Sequence, residues 1–275
     1  MSEQIGFIGL GAMGLGIAAN LVAAGHSVHG FDPSPEQQAK ARDKGIVTVD
    51  SPRAAALAAD EVVWSVVRTK AQTEAVLFGP GGVTSIGEPR TVVISSTLDP
   101  TTMRSIAERV ASTGGSAVDA TMSGGPWGAE AGTLTLMISG APAAVERIAP
   151  LAESVSGNRY VVGDTPGTGQ ATKLAVQLSF GIHMMAVFEA LQVVKSHGVD
   201  EGQLMEILSH SVGGSWTTKN WSRVKPWWET YVPGEDLDIL LKDLRSTMTE
   251  ADQDVVPVPV SALTFQLLRD VWQRS

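Results

Sequence analysis

The 275-residue sequence predicts an α/β fold, a doubly wound and mostly parallel sheet followed by an all-helical domain. Three observations carry that expectation. A glycine-spaced turn joins a short apolar strand to a helix within IGFIGLGAMGLG, starting at Ile5. Short apolar strands then alternate with helical stretches as far as about residue 165. Beyond that point strand-like alternation stops and helical periodicity takes over. The expected domains are therefore 1–165, the sheet domain, and 166–275, the helical domain, joined by one long interdomain helix.

The first strand is read from Ile5, Phe7 and Ile8. Gly9 permits the tight turn that leaves it, Gly11 lets the backbone approach a ligand with no Cβ in the way, and Gly14 lets the following helix lie close on the sheet. Ala12 and Met13 complete the turn. The first amides of the helix have no partners within it, and its dipole places partial positive charge there, so a pyrophosphate is stabilised without a lysine. Gly25 is the expected stop of this helix, residues 26–31 form the second strand, and Asp32 falls at that strand's end. A carboxylate there accepts hydrogen bonds from both ribose hydroxyls of an adenosine and repels a 2′-phosphate, so the expected cofactor is NAD rather than NADP.

The alternation continues with a helix at 35–44, a strand at 46–49, a helix at 52–59 and a strand at 61–67. Further strands are expected at 91–95, 115–119, 134–139 and 159–162. Ligands of such sheets sit at the carboxyl ends of strands, which directs attention to Val66, Val67 and Arg68 and to Ser95, Ser96 and Thr97. Residues 170–196 form one long helical run, apolar on most faces; Lys173, Gln177, His183 and Glu189 within it argue against a membrane span and for a buried spine. Helices are expected at 238–252 and 261–272, with Trp216, Trp221, Trp227 and Trp228 between spine and helices as core or interface fillers. Trp216 alone is a candidate for stacking on a substrate.

Composition narrows the function classes. A formal charge of −9 and the lack of any basic run exclude a nucleic-acid partner, and a hydrophobic fraction of 43% with 18% charged residues is that of a globular protein. The absence of cysteine rules out disulfides and thiol chemistry and fits a cytoplasmic enzyme. The five histidines are scattered, without metal-ligand spacing. No secretory leader pattern is read at the start of the chain.

Three segments carry chemistry. In DATMSGGPWGAEAG, starting at Asp119, the hydroxyl of Ser123 stands beside the backbone amides of Gly124 and Gly125, a suitable cradle for a carboxylate. In GTGQATKLAVQ at 167–177, Lys173 and Gln177 are spaced i, i+4 and share one helix face. In LLKDL at 240–244, Lys242 is placed to close over a cofactor.

With these motifs in view the chain resembles the β-hydroxyacid dehydrogenase family, which includes 3-hydroxyisobutyrate dehydrogenases, tartronate semialdehyde reductases and glyoxylate/succinic semialdehyde reductases. The likeness covers nearly the whole chain. It rests on GFIGLGAMG at 6–14 with Asn20-Leu21 and Gly25-His26, SSTLDP at 95–100, SGGPWGAEAGTL at 123–134, GTGQATK at 167–173 and KDL at 242–244. The resemblance implies a Rossmann domain joined to a helical one, reversible hydride transfer between NAD(P) and a β-hydroxy acid or its semialdehyde, and a homodimer or homotetramer built through the helical domain. By position it makes Lys173 the catalytic lysine, Ser123, Gly124 and Gly125 the substrate-carboxylate loop, and Thr97 the residue beside the nicotinamide. It also makes Lys242 the cofactor-closing lysine, and Val67, Arg68 and Gln72 part of a further cofactor loop.

In oxidation Lys173 takes the proton of the β-hydroxyl as hydride leaves the same carbon. A free lysine, with a pKa of about 10.4, is a poor base at neutral pH, so burial in the interdomain cleft and the nicotinamide charge are expected to lower it. Four positions depart from the family pattern. Val176 and Gln177 replace an Asn-Asn pair, Thr121 replaces the usual proline of a D-A-P sequence, and Glu235, after Gly234, replaces an aromatic residue. The amide at Gln177 sits one methylene further out, and Glu235 is expected to recognise a cationic or hydroxylated substituent rather than a small apolar substrate. Two alternatives share the architecture: an imine reductase, which the retained Lys173 disfavours, and a non-catalytic NAD-binding scaffold.

Overall fold

The computed structural model describes residues 2–229 and 236–273, and the chain divides into two compact units, Met1–Lys173 and Leu174–Ser275. In the first unit, β1 (Gln4–Ile8), α1 (Gly14–Ala23), β2 (Ser27–Phe31), α2 (Pro35–Asp43), β3 (Val47–Thr48), α3 (Pro52–Ala58) and β4 (Val62–Ser65) follow the expected alternation. They are followed by α4 (Lys70–Phe78), β5 (Thr91–Ile94), α5 (Pro100–Ala111), β6 (Ser116–Ser123), α6 (Gly125–Ala131), β7 (Leu134–Ser139), α7 (Pro142–Ser154) and β8 (Ser156–Gly163).

The eight strands form one sheet in the order β3-β2-β1-β4-β5-β6-β7-β8. All neighbours are parallel except β6 and β7, which pair antiparallel. Between β1 and β4 the direction of winding reverses, and the crevice at the carboxyl ends of two such strands is where open α/β sheets bind ligands. Side-chain alternation builds a core on each face of the sheet. Ile5, Phe7, Trp64 and Val93 pack with Ile17 and Leu21 of α1 and Ile148 of α7, whereas Ile8, Val63, Val92 and Ile94 pack with Ala55 of α3, Leu77 of α4 and Ile106 of α5. A buried relay crosses the middle of the sheet: the Trp64 indole N–H donates to Ser95 Oγ at 2.9 Å, and that hydroxyl donates to the Ala120 carbonyl at 2.7 Å.

Strand β6 runs four residues further than expected, ending at Ser123 rather than at 119. The reason lies in its pairing. Thr121, Met122 and Ser123 complete a ladder with Met137, Leu136 and Thr135 of the antiparallel neighbour, which the apolar pattern of β6 alone does not announce.

The second unit holds α9 (Glu201–Ser209), α10 (Trp216–Lys219), α11 (Trp221–Glu229), α12 (Asp236–Gln253) and α13 (Pro259–Gln273), and α8 (Thr168–Lys195) runs across the division between the units. Its core joins Met184 and Met185 of α8 to Val224, Leu240, Leu244, Phe265 and Leu268. A smaller cluster places Val187 against Leu204 and Met205. By length and composition α8 is the one helix among the described residues apolar enough to cross a membrane, yet Gln170 and Lys173 within it are buried polar residues of the sheet unit. The helix is expected to pack on other helices or a second subunit, and in the single chain it keeps some apolar surface open. Val193 is 69% exposed, so one chain does not cover every apolar face of this helix.

Candidate active site

The glycine turn is built as its spacing demands. Gly9 has φ +91°, and a Cβ there would lie 2.4 Å from the carbonyl oxygen of Val66, so the backbones that follow β1 and β4 touch at the crevice. A Cβ on Gly14 would fall 1.9 Å from the carbonyl oxygen of Gly9, which forces α1 hard against the turn. At Gly11 a Cβ would meet nothing within 4 Å, so steric fit within the chain does not explain this glycine. Met13, the N-cap of α1, makes no side-chain cap, and no acidic residue occupies the first turn of the helix. Ala12 lies in the same turn.

Asp32 sits at the end of β2 and is buried. Its Oδ2 accepts from the Leu10 amide at 2.8 Å, and its Oδ1 accepts from the Ser34 amide at 2.9 Å. The carboxylate thus ties the glycine turn to the end of β2, a task the sequence did not announce. Each oxygen keeps a further acceptor site.

Two loops follow β4 and β5 and are tied together. Ser96 Oγ donates to the Val67 carbonyl at 2.7 Å, and Thr73 Oγ1 donates to Ser96 Oγ at 3.2 Å. Arg68 precedes α4, but Gln72 belongs to that helix rather than to a loop. Its Oε1 accepts from the amides of Arg68 and Thr69, at 3.0 and 3.1 Å, in a capping box with Thr69. Gln72 therefore shapes the Arg68 backbone through its carbonyl. Thr97 is half-buried between Ser96 and Leu98.

Strand β6 delivers Ser123 to the same end of the sheet. Gly124, at φ +136°, and Gly125, at φ +69°, turn the chain into α6, and a Cβ on Gly125 would meet the Trp127 ring at 2.8 Å. Asn20 of α1 holds the other end of α6, its Nδ2 donating to the Ala129 carbonyl at 2.7 Å.

Asp119 and Gln170 were read only as letters of their motifs, and the structure gives both a role. The start of α8 is capped by the sheet, not by its own N-cap. Asp119 Oδ2 accepts from the amides of Gly167 and Gln170 at 3.2 and 2.8 Å, and Ser139 Oγ accepts from the Gly169 amide at 3.0 Å. Gln170 then reaches across: its Nε2 donates to Asp119 Oδ1 and to the Ser96 carbonyl, both at 3.0 Å, and its Oε1 accepts from the Leu98 amide at 2.8 Å. Burial pushes the Asp119 carboxyl up to about 7, against the hydrogen bonds donated to it, which act in the opposite direction. A polar residue closing an apolar strand was the available signal. Lys173 follows one turn after Gln170 on α8 and is only 8% exposed.

In the second unit, Gln177 Nε2 donates to Asp243 Oδ2 at 2.8 Å, and Lys242 Nζ lies 2.7 Å from Asp243 Oδ1. Asp243 is fully buried and thereby holds the α8 amide and the α12 lysine together. Trp216 is 44% exposed and packs edge-on against Phe180, with ring centroids 5.9 Å apart. Glu235 lies outside the described residues.

The residues present fit a dinucleotide. An open approach at Gly11, a helix start with no acidic residue in its first turn and a carboxylate at the end of β2 lie near the switch point of the sheet.

Comparison with known proteins agrees with that fit. Residues 4–163 match the family described as the NAD binding domain of 6-phosphogluconate dehydrogenase, and residues 167–275 match the NAD-binding domain of NADP-dependent 3-hydroxyisobutyrate dehydrogenase. The chain is 36% identical to the L-threonate dehydrogenase of Cupriavidus necator, over 97% of this chain and 90% of the relative. It superposes on the 3-hydroxyisobutyrate dehydrogenase of Salmonella typhimurium with a TM-score of 0.86 at 30% identity, covering 97% of this chain and 93% of the other. The structure of Psf3 in complex with NADP+ and 2-OPP is similar at a TM-score of 0.88 and 27% identity, over 98% and 94% of the two chains.

Proposed function

Because the chain belongs to the β-hydroxyacid dehydrogenase family, we propose that it transfers a hydride between NAD and the β-hydroxyl carbon of a small polar 3-hydroxy acid, with Lys173 as general acid and base. One observation carries this reading most of all. A buried lysine stands one turn into a helix whose start is fastened to Asp119 in the middle of β6 and to the Ser96 carbonyl just beyond β5.

Gly9, Gly11, Ala12, Met13 and Gly14 hold the pyrophosphate, and Asp32 accepts from the adenosine ribose. Val67, Arg68, Gln72, Thr97 and Lys242 complete the cofactor contacts. When bound, NAD supplies the nicotinamide ring that accepts the hydride. Ser123, with the Gly124 and Gly125 amides, fixes the substrate carboxylate, which leaves the β-hydroxyl within reach of Lys173. Lys173 Nζ takes the hydroxyl proton in oxidation and returns it to the carbonyl oxygen in reduction. NAD is preferred over NADP because a 2′-phosphate would meet the Asp32 carboxylate.

The substrate is a hydroxylated acid rather than a plain aliphatic one. A relative named L-threonate dehydrogenase supports this, as do the longer Gln177 and the acidic Glu235 at positions the chain does not share with the usual pattern. Trp216 is the aromatic candidate for its far side. The working protein is a cytoplasmic homodimer or homotetramer, with neither nucleic acid nor membrane as partner.

A screen of L-threonate, 3-hydroxyisobutyrate and serine against NAD and NADP tests these assignments. Highest kcat/KM for a polyhydroxylated acid with NAD is the expected result. A preference for NADP contradicts the Asp32 assignment, and a preference for the aliphatic acid contradicts the substrate class.

A further inference from the structure

Thr121 lies on β6, and its surroundings give its hydroxyl a consequence. The side chain is fully buried on β6, two residues before Ser123. Its hydroxyl lies 3.0 Å from the carbonyl oxygen of Gly169 and 3.4 Å from that of Met137, so the shorter contact is its main bond. Gly169 is in the first turn of α8, and in an α-helix the carbonyl of residue 169 is the acceptor for the backbone N–H of residue 173. The Thr121 hydroxyl therefore grips the same oxygen that fixes the Lys173 backbone. A proline at this position has no hydroxyl to offer.

Gln170 supplies the second tie. With its carbonyl on the Leu98 amide and its amide nitrogen on the Ser96 carbonyl, it brackets Thr97 on both sides, and Lys173 follows it by three residues on the same helix. We propose that Thr121 and Gln170 are positioning residues for proton transfer: they lock the first turn of α8 so that Lys173 is held in register with Thr97 on one side and Ser123 on the other. The proposal rests on the assignment of Lys173 as acid and base. Neither residue touches the reacting atoms. Their effect is on the fraction of time the amine spends in reacting geometry, and misplacement by about 1 Å costs on the order of a hundredfold in rate.

Thr121→Val keeps the volume and removes only the hydroxyl, leaving the Gly169 carbonyl with its helical partner, so the fold tolerates it. Thr121→Ser restores the donor. Gln170→Met removes both ties to the Thr97 loop. Three readouts are made on the full chain: kcat and KM with the best hydroxy acid, the dissociation constant of NAD, and the labelling rate of the Lys173 amine by an amine-directed reagent, followed by mass spectrometry. Thr121→Val is expected to lower kcat about tenfold or more with NAD affinity unchanged, and to raise Lys173 labelling several-fold. Thr121→Ser is expected to recover both, and Gln170→Met to show the larger defect. Wild-type kcat and wild-type labelling in both Thr121→Val and Gln170→Met, even with a lowered Tm, would overturn the proposal. A wild type that turns over no hydroxy acid, with the labelling differences intact, would instead count against the assigned reaction and uphold the locking of Lys173.

Discussion

Gly11 and Gly14 stand three residues apart in one turn and are glycine for different reasons. Gly14 is required by the fold itself, since any Cβ would collide with the Gly9 carbonyl. A Cβ on Gly11 would face open space, so the requirement proposed there comes from the dinucleotide. Gly11→Ala is therefore expected to leave Tm within about 2 °C of wild type, equivalent to less than about 1 kcal/mol, while weakening NAD binding tenfold or more. Gly14→Ala is expected to lower Tm by far more, and thermal denaturation with and without NAD separates the two cases. Asp32 is assigned both kinds of role, because the carboxylate proposed to meet the ribose also fastens the Leu10 amide. Asp32→Asn keeps an acceptor but removes the charge, and the ratio of kcat/KM for NADP to that for NAD is expected to rise about tenfold. An unchanged ratio would remove Asp32 from cofactor choice.

At the scale of elements, the start of α8 is where local sequence and tertiary structure part company. A helix start normally carries its own Ser, Thr, Asp or Asn cap, whereas here Asp119 and Ser139 donate that service from two strands. The cost is a buried carboxylate, whose pKa rises from 3.8 unfolded to about 7 folded. The folded state then binds the proton more tightly than the unfolded one, so this group's contribution falls as pH climbs from about 4 to 7 and is level above that. Measured against Asp119→Asn, which cannot titrate, wild type is expected to lose several degrees of Tm over that interval. A difference that stays constant with pH would show that the carboxylate does not titrate there. The glycine turn, the strand alternation and the long helix were legible because each is a local pattern of short period. The far end of β6 was not, since its pairing with β7 is decided by a chain segment more than ten residues away. Gln72 was misplaced for a related reason: a capping box needs backbone geometry that residue types only suggest. Asp119 and Gln170 were visible as motif letters, but their partners lie 20 to 74 residues distant in the chain.

For the whole molecule, the two units divide the proposed labour. Of the residues assigned above, the dinucleotide turn, the Ser123 loop and Lys173 belong to the sheet unit, and Gln177, Lys242 and Trp216 belong to the helical unit. Val193, Ile207, Val260 and Leu263 of the helical unit are all more than half exposed in the single chain. The proposed assembly is tested by sedimentation velocity, which is expected to give a dimer or larger species; a monomer at micromolar concentration would contradict it. The account as a whole stands on the proton carried by the Lys173 amine. Its most direct test is to compare Lys173→Ala with wild type for NAD affinity and for turnover of the best hydroxy acid. The account predicts unchanged NAD affinity with kcat lower by about a thousandfold, within the range that loss of a general acid and base produces. Turnover within tenfold of wild type, with NAD bound as before, would contradict it.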